Sequence, residues 1–305
     1  MAATPGDGST AGTLLREDER RGVLFMLAGI GLFSLLNAVV KWQAETFPVV
    51  QILFFRNAFA LPPILALVLL AGGTRRLRTR QAHAHVLHAV MVTVGIGLIF
   101  MAYDRMPLAD ATAINFAAPL IITALTPFLL REAVGWERWL AVLVGFGGVL
   151  LMAQPTGEGV RDGAVFAIAG TVVAALGMLL ARYLSRADHS VAVVFYFMFV
   201  STLLLVPLLP FFWITPTPWQ LAGLVAMGLA SGVSQYLTTR ALAFASPAAV
   251  APITYTKMLW AIVLGVLIFG DIPTPVVLVG SALVLGATWF VVHRSQARQA
   301  GAAAS

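Results

Sequence analysis

Long apolar runs alternate with short polar breaks along almost the whole chain. Counting about 20 apolar residues as one bilayer crossing, the runs predict ten helices, at 22–41, 49–70, 86–103, 109–130, 138–153, 163–183, 190–210, 219–239, 248–270 and 275–292. The eighth is diluted by Ser231, Ser234, Gln235, Tyr236, Thr238 and Thr239. Yet Trp219 to Gly270 is too long for one crossing, and Arg240 with Ser246 and Pro247 marks the break. Residues 1–21 lack the apolar core of a signal peptide, so the first run reads as an uncleaved span. The tail to about Glu19 and the AAAS end are expected to be disordered.

The runs come in two matched sets. GVLFMLAGIGLFSLLNAVVKW from Gly22 compares with GAVFAIAGTVVAALGMLLARY from Gly163, an offset of 141 residues that pairs Lys41 with Arg182. At an offset of 139, Ala109 falls on Ala248, Ile114 on Ile253, Phe116 on Tyr255, Glu132 on Asp271 and Gly147 on Gly286. Five helices per half is an odd number, so the halves cross the membrane in opposite senses. Secondary transporters use that arrangement to rock their halves around a site near the midplane. The expected fold is an all-α membrane protein, ten transmembrane helices forming two inverted five-helix repeats around a central cavity. Residues 1–21 and 293–305 are its tails, 22–153 and 163–292 its repeats, and 154–162 the linker.

Composition removes several classes. The 305 residues are 60% hydrophobic and 10% charged, against about 25% charged for a soluble domain, and the mean hydropathy is +0.91. The net charge of +6 sits in short loops, where it sets membrane topology; no nucleic-acid partner is expected. With the N-terminus inside, fourteen Lys and Arg residues fall on the inner side and three, Lys41, Arg105 and Arg161, on the outer. Both termini are therefore expected in the cytoplasm. The chain has no cysteine, which removes disulfides and thiolate metal sites. His83, His85 and His88 follow the RRLRTR run without a carboxylate or thiolate companion, so no metal is expected. There is no GxxxxGK[ST] loop, GxSxG elbow, HExxH pair or pair of catalytic carboxylates. Neither catalysis nor a cofactor is expected.

Polar residues three or four apart mark helices that face water or one another. Such stripes are Ser34, Asn37 and Lys41; Thr112, Asn115, Pro119, Thr123 and Thr126; Ser231, Ser234, Gln235 and Thr238; and Thr254, Lys257 and Trp260. Weaker ones are Thr171, Ala175, Met178 and Arg182, and Thr93 with Gly97. Their recurrence in both halves points to a shared aqueous cavity, against interhelical hydrogen bonding as the plain alternative. The fifth and tenth spans carry Gly145, Gly147, Gly148, Gly280 and Gly286 instead, as helices that pack closely do. Pro119 and Pro252 each remove a hydrogen bond from a helix interior, giving either a flexing gate or a fixed kink.

Three ionisable residues lie within spans: Arg56, Asp110 and Lys257. Arg56 and Asp110 share a depth and are expected to pair, as a structural bridge or a gate. Lys257 is deeper, where a charge costs about 3 kcal/mol on insertion scales, and no acidic side chain is left for it. Three roles are open: binding a substrate carboxylate, carrying a coupling proton, or donating to backbone near Pro252.

Three stretches carry a family resemblance: ILFFRNAFALPPILALVLL, PLADATAINFAAPLIITALTPFLLREAVGWERWLAVLVGFGGVLLM and RALAFASPAAVAPITYTKMLWAIVLGVLIFGDIPTPVVLVGSALVLGATWF. Through them the chain, over about residues 22–292, resembles the drug/metabolite transporter superfamily in its ten-helix EamA-type branch. The resemblance implies a basket-like bundle in a bacterial inner membrane, a cavity lined by spans one, three, four, six, eight and nine, and export of small metabolites. It extends to bacterial amino-acid exporters, including those for aromatic amino acids. The function expected is alternating-access export of amino acids or similar amphipathic metabolites, by a monomer or weak dimer whose other partner is the bilayer. Lys257 would meet the carboxylate, Asn37, Asn115, Gln235 and Thr254 would supply hydrogen bonds, and Tyr255, Trp260 and Met178 would complete the binding surface. Coupling is open between facilitated transport and proton antiport. A lipid or lipid-carrier flippase, or a carrier of nucleosides or vitamins, is the rival.

Overall fold

The computed structural model describes residues 7–129, 135–153, 162–244 and 253–304. Twelve α-helices run through these residues: α1 Asp7–Ala44, α2 Val49–Ala58, α3 Leu61–Leu70, α4 Ala82–Arg105, α5 Leu108–Asn115 and α6 Ala118–Leu129 in the first half. After α7 Trp136–Ala153 come α8 Asp162–Ala187, α9 Ser190–Leu205, α10 Pro218–Phe244, α11 Thr256–Leu264 and α12 Pro275–Ala304. No strand occurs among the described residues. The helices group into the ten spans, eight long and apolar enough to cross a bilayer and two shorter, Thr256–Phe269 and Pro275–Val291. Arg131, Glu132, Arg161, Ala248 and Pro252 lie outside the described residues.

Several spans are broken, each for a local reason. Pro62 and Pro63 open α3; neither offers an N–H to the preceding turn, so α2 ends at Ala58. The chain likewise turns at Phe116 and Ala117 ahead of Pro119, which sits in the first turn of α6. The kink expected within one continuous helix is thus a gap between two. Pro119 occupies a position where a missing N–H costs little. In the matching span, Tyr255 forms the turn before α11. Beyond α11 a π-helical turn, Gly265–Phe269, ends at Gly270 in the left-handed region, φ 68°.

The helices are assembled mainly through three long seams: α4 on α8, α1 on α10, and α7 on α12. Small residues make the first two possible. A Cβ at Gly29 would stand 2.8 Å from Thr238 Cγ2, and one at Gly170 would stand 2.9 Å from the Gly95 carbonyl oxygen. Gly29 and Gly170 are 141 residues apart, the offset of the sequence repeat. The two seams are therefore the same contact made twice, each time joining one half to the other. In the third seam Gly148 of α7 faces the Gly280 carbonyl of α12, 2.7 Å from where a Cβ would lie. Outward from the seams stand Leu143, Leu150, Val263, Leu267 and Val279, exposed as lipid-facing side chains are.

Helix extends into both expected tails, from Asp7 and up to Ala304. The segment before the first span contains Leu14, Leu15, Arg16 and Glu17, all strong helix formers, and no proline after Pro5. An α-helix already begun in the membrane continues through such a sequence without a new nucleation step.

Candidate functional site

The breaks in the two halves meet at the centre of the bundle. Phe116 stacks on Tyr255 with centroids 6.0 Å apart and planes at 20°. These two residues coincide in the 139-residue repeat, so the stack lies where the halves are related to each other. The Phe116 carbonyl accepts a 2.9 Å hydrogen bond from the Thr288 hydroxyl of α12. Pro119 has no N–H to offer the carbonyl of Asn115, one turn earlier.

Around the stack opens a cavity of about 380 Å³, within the range that holds a small-molecule ligand. Its walls are largely apolar and aromatic, with Phe33 from α1, Phe100 and Tyr103 from α4, and Phe116 and Tyr255 from the breaks. Polar groups converge on it from both halves: Ser34 and Asn37, Thr112 and Asn115, Thr254, and Thr288. Among the described residues, the side-chain amides of Asn37 and Asn115 have no hydrogen-bond partner within the chain, so both remain available to a solute.

Two cations line this space, and among the described residues no carboxylate does. Lys257 stands where the repeat places Ala118 in the first half, so the charge breaks the symmetry. Its ammonium lies 5.0 Å from the Phe33 ring centroid, and no described acidic side chain is within ion-pairing distance. Arg56, 8% exposed, donates to the Asn57 side-chain oxygen at 3.3 Å and lies 5.8 Å from the Phe100 ring centroid.

The expected ion pair between Arg56 and Asp110 is not formed. Asp110 is buried in the first turn of α5 and does not line the cavity. Equal depth in the membrane did not bring the two side chains to the same side of their helices.

The remaining site residues divide cleanly. Lys257, Asn37, Asn115, Thr254, Tyr255 and Met178 line the cavity, as do Arg56 and Pro119; Gln235 and Trp260 do not. Along α11 the cavity-facing positions are Lys257 and Ala261, four apart. Trp260 falls to the side, 41% exposed, with its ring against Gly31 of α1. No α10 residue lines the cavity. Its stripe serves the seam with α1, where the Ser234 hydroxyl donates to the Gly29 carbonyl at 2.9 Å. Thr238 and Thr239 bond back to carbonyls of their own helix. The second and tenth spans contribute in place of the eighth, through Arg56 and Thr288. Tyr103 and Phe100 went unnoticed in the sequence, although they extend a helical stripe through Ile96.

Polar clusters mark both ends of the bundle. At one, Lys41 of the first half bonds Asp271 of the second at 2.5 Å, donates to the Met106 carbonyl at 3.3 Å and lies 4.7 Å from the Phe269 ring centroid. At the other, His85 contacts Asp188 at 2.7 Å and Thr79 donates to the same carboxylate at 2.6 Å. Burial pushes the Asp188 carboxyl up. The Thr79 and His85 hydrogen bonds and the imidazole charge outweigh this and hold it below the usual carboxylate value. His85 thus has the carboxylate companion that its own loop lacked, 103 residues on. No described group of three such side chains could hold a metal.

Known proteins share this architecture. An S-adenosylmethionine uptake transporter of Rickettsia bellii is 23% identical over 272 residues, covering 89% of this chain and 93% of the relative. A riboflavin transporter of Rhizobium johnstonii is 28% identical, covering 91% and 93%. A pseudopaline exporter of Pseudomonas aeruginosa is also 28% identical, covering 87% and 94%. A solved crystal structure at 19% identity superposes with a TM-score of 0.62 over 91% of this chain and 98% of the other, a likeness of fold. The sequence model of the EamA-like transporter family matches twice, at residues 20–154 and 161–293, once for each half of the bundle. With two such units enclosing a largely apolar cavity on which a few polar groups converge, the chain belongs to the EamA-like transporter family, whose members carry small molecules across membranes.

Proposed function

We propose that this protein is a secondary carrier of the bacterial inner membrane, with both termini cytoplasmic, that exports amino acids or similar carboxylate-bearing metabolites by alternating access. One observation carries the reading: Lys257 projects a cation into the cavity with no described acidic partner. Burying an unpaired charge is costly, and a substrate carboxylate would compensate it. The amides of Asn37 and Asn115 and the hydroxyl of Thr254 then orient the rest of the solute. The apolar walls tolerate varied side chains. Among the described residues no cavity-lining carboxylate offers itself as a proton carrier, which favours facilitated exchange over proton antiport.

A second reading draws on the aromatic wall. Phe116 and Tyr255, with Phe100 and Tyr103 nearby, offer flat surfaces to a planar heteroaromatic solute, and one group of relatives carries the name riboflavin transporter.

The deciding experiment is counterflow in proteoliposomes with labelled amino acids, riboflavin and a nucleoside, comparing wild type with Lys257→Met. Amino acids should exchange, and the variant should lose at least about tenfold of that rate while remaining monodisperse. Equal rates in the two proteins, or exchange of riboflavin or nucleoside alone, would remove the carboxylate reading.

A further inference from the structure

The cavity holds more positive charge than one carboxylate needs. Lys257 and Arg56 both line it, and no described carboxylate does. A lysine can relieve burial by releasing its proton. An arginine cannot, because its guanidinium stays protonated throughout the physiological range. Arg56 is 8% exposed, and its one described polar partner is the neutral side chain of Asn57, at the long distance of 3.3 Å. Most of its five N–H donors are thus uncommitted. The Phe100 ring offers weak cation–π attraction at 5.8 Å, which is small beside the desolvation of a whole guanidinium. The acidic side chain at similar depth, Asp110, belongs to a different place in the fold and does not face the cavity.

We propose that the cavity is selective for solutes bearing two anionic groups, one received by Lys257 and the other held by the planar fork of Arg56. The inference rests on the reading that Lys257 receives a carboxylate, and adds that the carboxylate does not arrive alone. The two cations come from opposite halves, Arg56 from α2 and Lys257 from α11. A solute held by both therefore bridges the two repeats that alternating access must move. A carboxylate or a phosphate satisfies the Arg56 fork equally in geometry, since both accept paired N–H bonds.

Matched pairs of solutes test this, because they differ in charge but little in size. Counterflow is measured for glutamate against glutamine, and for O-phosphoserine against serine. Wild type should exchange at least one anionic member about tenfold faster than its neutral partner, since a site built around a second anion leaves its arginine unpaired without one. Arg56→Gln should abolish that preference, so that the anionic and neutral members of each pair exchange at equal rates. Arg56→Lys should retain part of it. Preference for glutamate assigns the second group as a carboxylate, and preference for phosphoserine alone assigns it as a phosphate.

The proposal is overturned if both neutral members exchange as fast as their anionic partners, or if Arg56→Gln leaves the ratios unchanged. Should glutamine exchange depend on Lys257 while no anion is preferred, the carboxylate reading stands and this one alone fails. Should no carboxylate-bearing solute move, both fall. A measurement on the wild type covers the case in which Arg56→Gln does not fold. An anionic solute of the panel should raise the melting temperature of the detergent-solubilised protein more than its neutral partner does, and equal shifts within both pairs refute the second anion.

Discussion

Lys257 and Asp188 show how differently single residues reveal themselves. A lysine inside an apolar run is conspicuous because every neighbour is apolar, so its importance is readable from the chain. Asp188 lies in a break between two spans, one of many polar loop residues, and its value comes from Thr79 and His85, 109 and 103 residues away. Its carboxyl is held below the usual value, so the folded protein favours the ionised form. That contribution is complete above the ordinary carboxylate range and is lost as pH falls through the lowered value. Asp188→Asn should therefore reduce the melting temperature at pH 7, by about 2–4 °C for each kcal/mol lost. The difference from wild type should close under acid conditions. Thermal unfolding in detergent at pH 7 and near pH 3 checks this, and a constant difference at both would mean that charge has no part.

At the scale of the helix, glycine position matters more than glycine content. Gly147 and Gly148 are adjacent in α7, yet a Cβ at Gly147 meets nothing within 4 Å, while one at Gly148 comes within 2.7 Å of the Gly280 carbonyl. Gly148→Ala must push α7 away from α12 and should cost about 1–3 kcal/mol. Gly147→Ala fills open space and should leave the melting temperature unchanged or slightly raised. The pair can be compared directly by thermal unfolding of the purified proteins. The same scale explains the fate of the polar stripes. Those of α1 and α5 reach the cavity through Asn37 and Asn115, whereas that of α10 is turned toward α1 by the contact of Thr238 with Gly29. A stripe in the sequence establishes that a helix has a polar face. It does not say whether water or another helix meets that face.

Across the whole molecule, the Lys41–Asp271 bridge joins the two halves at one end of the bundle. If the halves rock, the bridge stabilises the state in which that end is closed, and its loss shifts the population toward opening. The absence of native cysteine permits a single reporter, Thr112→Cys, on the cavity wall. In that background Asp271→Asn should increase labelling by an impermeant thiol reagent added on the Lys41 side by several-fold, and exchanging the two charges should restore protection. Unchanged labelling would leave the bridge a static fastening. Much of this architecture could be read from sequence alone. The ten spans, their division into two related halves and the unusual cation at Lys257 follow from local apolarity, because partitioning into a bilayer is decided segment by segment. Tertiary structure alone decided which faces meet. It separated Arg56 from Asp110, joined Lys41 to Asp271 across 230 residues, and placed Ala261 in the cavity and Trp260 outside it. Depth in the membrane is written in the position of a residue along its helix, but the rotation of that helix is set by the packing of its neighbours.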